Sequence, residues 1–93
     1  MNEDKFSKAP WHVEVRDEIL YVIDANDSEV CYEEEWGEEY ETEQTANFAL
    51  IAASPRLLHA LESLVGEAAL ELGELYPPVA AARAAISLAR EGA

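Results

Sequence analysis

Basic residues are scarce in this chain. Six lysines and arginines stand against twenty aspartates and glutamates, a formal net charge of −14. Binding to a phosphate backbone draws on clusters of Lys and Arg, so direct contact with nucleic acid is not expected, and the same negative field repels acidic membranes. Cysteine is nearly absent. The lone thiol of Cys31 rules out an intrachain disulfide framework and suits a reducing cytosol. Long apolar runs are missing as well. The run at Ala49–Ala53 is far short of the ~20 residues that a spanning helix needs, so no membrane segment is expected. The N-terminal MNEDKFSKAP has no apolar h-region, and a signal peptide is not expected either. The four glycines, at 37, 66, 73 and 92, are too scattered for a phosphate-cradling loop.

What is present is unevenly placed. Residues 1–45 hold fifteen acids and three bases, giving −12, and residues 46–93 hold five acids and three bases, giving −2. With 49% apolar residues the chain has ordinary globular usage, and 93 residues make one domain at most.

The first ten residues lack pattern and read as a flexible arm. Trp11–Arg16 alternates apolar and polar, the period of a half-buried strand, with Trp11, Val13 and Val15 on one face. Asp17-Glu18 then turns the chain. Ile19–Ile23 is a continuous β-branched and aromatic run, suited to a central strand covered on both sides. Asp24–Ser28 clusters turn formers. A third strand begins at Val30 and Tyr32, with Glu34 and Trp36 on the same side, and Gly37 interrupts it.

From Thr42, a plausible N-cap, the period becomes helical. A short helix is expected over 43–53, and a second one starts at the corner Ser54-Pro55. The second carries a heptad seam, Leu58, Leu61, Val65, Ala68, Leu72 and Leu75, widened by Leu57 and Leu64. Gly66 and Gly73 weaken and close it. A third helix, from about Pro78 to Arg90, bears the stripe Val79, Ala82, Ile86 and Ala89. Strands first and helices second make the class α+β: a three-stranded antiparallel meander, then a short helix and an antiparallel helical hairpin. The expected division is an arm over 1–10 and a single α+β domain over 11–93, its acidic meander over 11–41 and its helical part over 42–93.

The segment Ala46-Asn-Phe-Ala-Leu-Ile-Ala-Ala-Ser-Pro-Arg-Leu-Leu-His-Ala-Leu61 resembles a group of small phage and prophage proteins that share A-N-x-x-L-I-A-A-x-P-x-L-L-x-A-L. The tryptophan-led strand at Trp11–Val15, the hairpin at Val22–Ala25 and the A-R-A-A-I helix at Ala82–Ile86 extend the resemblance over roughly residues 11–90. The chain departs from it in having Asn26-Asp27 where Asp-Gly is common, and in the acidity of Glu33–Glu43. The resemblance implies a phage gene acting in the cytoplasm of a bacterial host, and it implies no reaction.

Little here points to chemistry. His12 and His59 are the only histidines, and a nucleophilic pairing of either with Cys31 has nothing but residue type to support it. No enzyme and no cofactor are expected. Asp24, Asn26, Ser28 and Glu35 fall on ligand positions of a calcium-loop template, but Glu29 stands where the sharp turn needs glycine, so no metal site is expected either.

The stretch Val30–Gln44 concentrates seven glutamates among two tyrosines and a tryptophan. One reading is a solvated loop that maintains solubility. The other is a docking surface for a basic host protein or nucleic-acid-binding complex, with Glu33, Glu34, Glu35, Glu38, Glu39 and Glu41 in Lys/Arg sites and Trp36 and Tyr40 as anchors. A strand rises ~3.3 Å per residue and a DNA strand carries a phosphate every ~3.4 Å, so nucleic-acid mimicry is physically reasonable. An inhibitor of a host defence complex, of anti-CRISPR type, follows as the expected function. A structural or assembly accessory working through its helices is the alternative, and a small-ligand sequestering protein a third. The wide leucine face, Leu57, Leu61, Leu64 and Leu72, suggests a homodimer.

Overall fold

The computed structural model describes residues 4–34 and 41–91, with the side chain of Glu41 left out. Three strands form where the patterns place them: β1 (His12–Arg16), β2 (Ile19–Ile23) and β3 (Glu29–Glu33). They pair antiparallel in the order β1-β2-β3, and two helices follow, α1 (Glu41–Leu72) and α2 (Pro77–Glu91). The class is α+β, as read from the sequence. The charge-free β2 takes the central place, and its Leu20, Val22 and Ile23 are the most completely buried large side chains of the described residues.

Both turns are built without glycine. The closing pair Arg16↔Ile19 leaves Asp17 and Glu18 as a two-residue hairpin loop, with φ of 52° and 64°. These are the left-handed values that a type I′ turn demands, and each costs an L-residue roughly 1 kcal/mol or more. In the second turn the Asp24 carboxylate is buried, and its Oδ1 accepts the Asn26 and Ser28 amides at 2.9 and 2.8 Å. The Asp24 amide donates to the Ser28 carbonyl at 2.9 Å. A buried carboxylate satisfied by amides of its own turn closes the loop without a metal ion. Val22 then pairs with Cys31 and Ile23 with Glu29, so Val30 is an extra, bulged residue. The bulge lets the successive residues Val30 and Cys31 both pack against the core. β3 ends at Glu33, and Trp36, which the alternation placed on the same side, lies outside the described residues.

The chain divides into two compact units, Met1–Pro55 and Arg56–Ala93. The meeting point of these units does not coincide with the change from strand to helix, read from the sequence at 41–42 inside a single domain. It falls inside α1 because the early turns of that helix belong to the sheet. Phe48 and Ala52, four residues apart on one helical face, complete a core with Trp11, Leu20 and Val22. The N-terminal segment, read as a flexible arm, is fastened from Phe6 onward. Phe6 packs edge-on against Trp11 at 5.9 Å, the Trp11 indole N–H donates to the Ser7 carbonyl at 2.9 Å, and the Ala25 amide donates to the Lys8 carbonyl at 2.8 Å. A three-stranded sheet has too little apolar surface to leave such a ring pair unused.

The expected corner at Ser54-Pro55 does not form. α1 starts two residues before the expected position and runs through Pro55 without a break. Proline removes the amide that would have bonded to the carbonyl four residues back, which here is Ile51. The Ser54 hydroxyl donates to that same Ile51 carbonyl at 2.7 Å, so the acceptor is satisfied and the helix continues. The short helix and the first arm of the hairpin are therefore one element. α1 also corrects the expectation drawn from apolar runs: Thr42–Leu72 is long and apolar enough to cross a membrane, by length and composition alone. Phe48, Ala52, Pro55 and Val65 along it are nevertheless buried within the protein.

In the second unit the C-terminal part of α1 and all of α2 form the antiparallel hairpin. Gly73, at φ 88°, ends α1, and its amide donates to the Ala69 carbonyl at 2.9 Å, the single-bond left-handed cap. Val65 and Val79 are buried, and Ala82 and Ile86 half-buried. The last position of the expected stripe passes from Ala89 to Arg90, whose guanidinium grips the Glu62 carboxylate in a fork at 2.7 and 2.8 Å. Arg83 holds Glu74 in the same manner at 3.2 and 2.8 Å.

Two stability measurements check this account. Replacing Ser54 with alanine leaves the Ile51 carbonyl without its hydroxyl donor and should lower the unfolding free energy by about 1 kcal/mol, read as a lower denaturant midpoint at unchanged slope. Replacing Asp17-Glu18 with Asn-Gly supplies the residues that the turn geometry prefers and should raise stability by about 1 kcal/mol. A neutral or destabilising result would refute the left-handed turn.

Candidate protein-interaction surface

Of the acidic residues singled out in the sequence, Glu33 and Glu34 lie at the exit of β3. Glu34 is exposed and Glu33 half-buried. Glu41 opens α1. Glu35, Trp36, Glu38, Glu39 and Tyr40 lie outside the described residues. The register adds two acids that the linear reading treated only as a turn. Because Glu33 pairs with Leu20 on β2, the exit of β3 lies at the same end of the sheet as the Asp17-Glu18 turn. Both turn residues are exposed. The acidic surface thus gathers Asp17, Glu18, Glu33 and Glu34 from two separate segments. The signal for this was in the sequence: two five-residue strands in a meander return the chain to the level of the first turn.

Arg16, the base beside that turn, is engaged with Glu14 and Asp27. Arg16 donates to the Glu14 carboxylate through Nε and to Asp27 Oδ1 through its terminal nitrogen, the second at 2.7 Å. His12 lies 3.2 Å from the other Glu14 oxygen. The Arg16 hydrogen bond, then that of His12, holds the Glu14 carboxyl below the usual glutamate range, and the two carboxylates push the Arg16 guanidinium upward. Strand alternation puts His12, Glu14 and Arg16 on the outer face of the sheet, in register with Tyr21 and Tyr32. The two tyrosine rings lie 5.9 Å apart, and Tyr32 is 54% exposed.

Cys31 faces the core side with Val13 and Val22, and burial raises its thiol above the ordinary value. His12 sits on the opposite face, so the conceivable Cys31–His12 pairing is not assembled. Among the described residues no group of His, Cys, Asp and Glu side chains is arranged to hold a metal ion.

The leucines named as an oligomer interface lie on α1 in the second unit. The heptad seam divides. Leu58 is half-buried and Val65 is buried, so that side turns inward. Leu61 is half-buried, while Leu57, Leu64 and Leu72 are 53%, 66% and 56% exposed. The unit leaves uncovered both residues that widened the seam, Leu57 and Leu64, and the end of the seam itself, Leu72 and Leu75.

The Glu14 cluster carries a pH signature. A carboxylate held low contributes stability that is present above its unfolded pKa and lost as pH falls through its folded one. Carboxyl NMR titration should place Glu14 below the ordinary glutamate range, and Arg16→Gln should move it upward. An unmoved midpoint would show that Arg16 is not the cause.

No curated protein and no solved structure matches this chain. A family model described as Salmonella phage P22 protein Y8K6 matches it over residues 1–93. A match over the whole chain, on a strand-first α+β fold whose Ala46–Leu61 segment had already suggested a phage origin, places this small phage protein in the Salmonella phage P22 protein Y8K6 family.

Proposed function

We propose that this phage protein acts by stoichiometric binding to a basic partner in the host cytoplasm, and that the partner is a nucleic-acid-binding complex of the host, such as a defence complex, which it inhibits by presenting carboxylates where phosphates would lie. One observation carries the reading: the segregation of charge, −12 in residues 1–45 against −2 in residues 46–93. The grouping of Asp17, Glu18, Glu33 and Glu34 at one end of the sheet supports it, as does the engagement of Arg16 elsewhere. Such a field raises association rates and orients encounter more than it adds affinity. The A-N-x-x-L-I-A-A-x-P pattern takes no part in the contact on this reading. Its Ala52 is in the sheet's core and its Pro55 is buried. A structural or assembly role through the helical face is the second reading, favoured by the exposure of Leu57, Leu64 and Leu72.

The salt dependence of capture from host lysate separates the two. Raising salt shortens the screening length from ~10 Å at 0.1 M to ~3 Å at 1 M, so a partner held by the acidic end should be released at high salt. It should also be lost when Asp17, Glu18, Glu33 and Glu34 are all changed to lysine, and competed away by duplex DNA or RNA. A partner retained through both treatments would sink the mimicry reading and favour the helical one.

A further inference from the structure

The exposed leucine stripe reads nearly the same in both directions. Leu57 lies seven residues before Leu64 and Leu72 eight after it, and Leu61 and Ala68 flank Leu64 at three and four residues. On a helix of 3.6 residues per turn these positions share one face. Two exposed charges lie along one flank of that face, Arg56 at its start and Glu71 near its end, with exposed Glu67 on the same flank. An isologous interface requires a surface that is complementary to itself about a two-fold axis. With the axis at Leu64, an antiparallel copy sets Leu57 beside Leu72, Leu61 beside Ala68, and Arg56 beside Glu71, twice over. In a parallel copy the charged flank of one helix would meet the opposite flank of the other, and no Arg56–Glu71 pair would form.

We propose that two copies of this protein associate through the C-terminal half of α1, antiparallel, across Leu57, Leu61, Leu64 and Leu72, with Arg56 of each copy paired to Glu71 of the other. The unit that carries the stripe is nearly neutral: residues 56–93 hold three bases and five acids, a net charge of −2. The stripe's own unit therefore adds little charge to repel a second copy. A lipid occupant fits less well, since Arg56, Glu67 and Glu71 would be drawn into hydrocarbon beside the leucines. One helix face of this length buries an area at the lower end of specific interfaces, about 1,200 Å² in total, which suits association in the micromolar range. The inference is independent of the acidic surface and stands or falls without it.

Sedimentation equilibrium over the micromolar range, with light scattering, tests it on the full chain. The wild type should be a dimer, and Leu64→Asp a monomer with unchanged far-ultraviolet circular dichroism. Because Leu64→Asp acts on a helix that also packs internally, the exposed charges decide the geometry. Arg56→Glu and Glu71→Arg alone should each raise the dimer dissociation constant roughly tenfold, by removing two surface ion pairs and creating two repulsions. The double variant should return it to near the wild-type value. A monomeric wild type, a charge reversal without effect, or a double variant as weak as the sum of the singles would overturn the proposal. So would wild-type partition into phosphatidylcholine vesicles, which would assign the stripe to lipid.

Discussion

A three-stranded sheet cannot bury its own apolar face, and the contact of Phe48 and Ala52 with Trp11, Leu20 and Val22 answers that need. Much of the organisation follows from it. The sheet draws the early turns of α1 into the first unit, so the line between units falls at Pro55–Arg56, well inside a continuous helix. The same shortage of cover recruits Phe6 onto the Trp11 ring and ties the backbone of Ser7 and Lys8 to the strands. For the helix to serve this core and still continue beyond it, its backbone has to survive Pro55. The hydroxyl of Ser54 offsets part of the ~3 kcal/mol that a proline costs a helix interior, by satisfying the Ile51 carbonyl.

The strands were legible because their signals are local. Alternation over Trp11–Arg16, an uncharged run over Ile19–Ile23 and clusters of turn formers each act within a few residues. The end of α1 was legible for the same reason, since Gly73 supplies the left-handed residue that the cap requires. What sequence reasoning missed depends on competition or on distance. A Ser-Pro pair is an ordinary way to begin a helix, and only the position of the Ile51 carbonyl shows that here the serine repairs one instead. The bulge at Val30 follows from how Asp24 folds the turn with its side chain, which spacing does not encode. Membership of the acidic surface was half visible: the glutamate run is plain, whereas Asp17 and Glu18 join it only through strand register.

The two units divide the chemistry of the surface as well as the fold. The first holds most of the charge, and among its described residues backbone pairing brings Asp17, Glu18, Glu33 and Glu34 to one end of the sheet. The second holds little net charge and an uncovered row of leucines. A small phage protein with these two faces has one surface suited to long-range electrostatic encounter and another suited to short-range apolar contact. The two respond to salt differently, because screening weakens charge attraction while apolar burial persists.

The hairpin at Asp17-Glu18 shows what this arrangement demands of the backbone. A loop in that conformation is most comfortable with asparagine followed by glycine, neither of which carries charge. Here both left-handed positions are occupied by acids. The loop thus keeps two negative charges where conformational ease alone would keep none, and a search for sequences that best fit this backbone would erase them. Local fit and surface charge make conflicting demands on the same two residues, and the chain resolves the conflict in favour of charge.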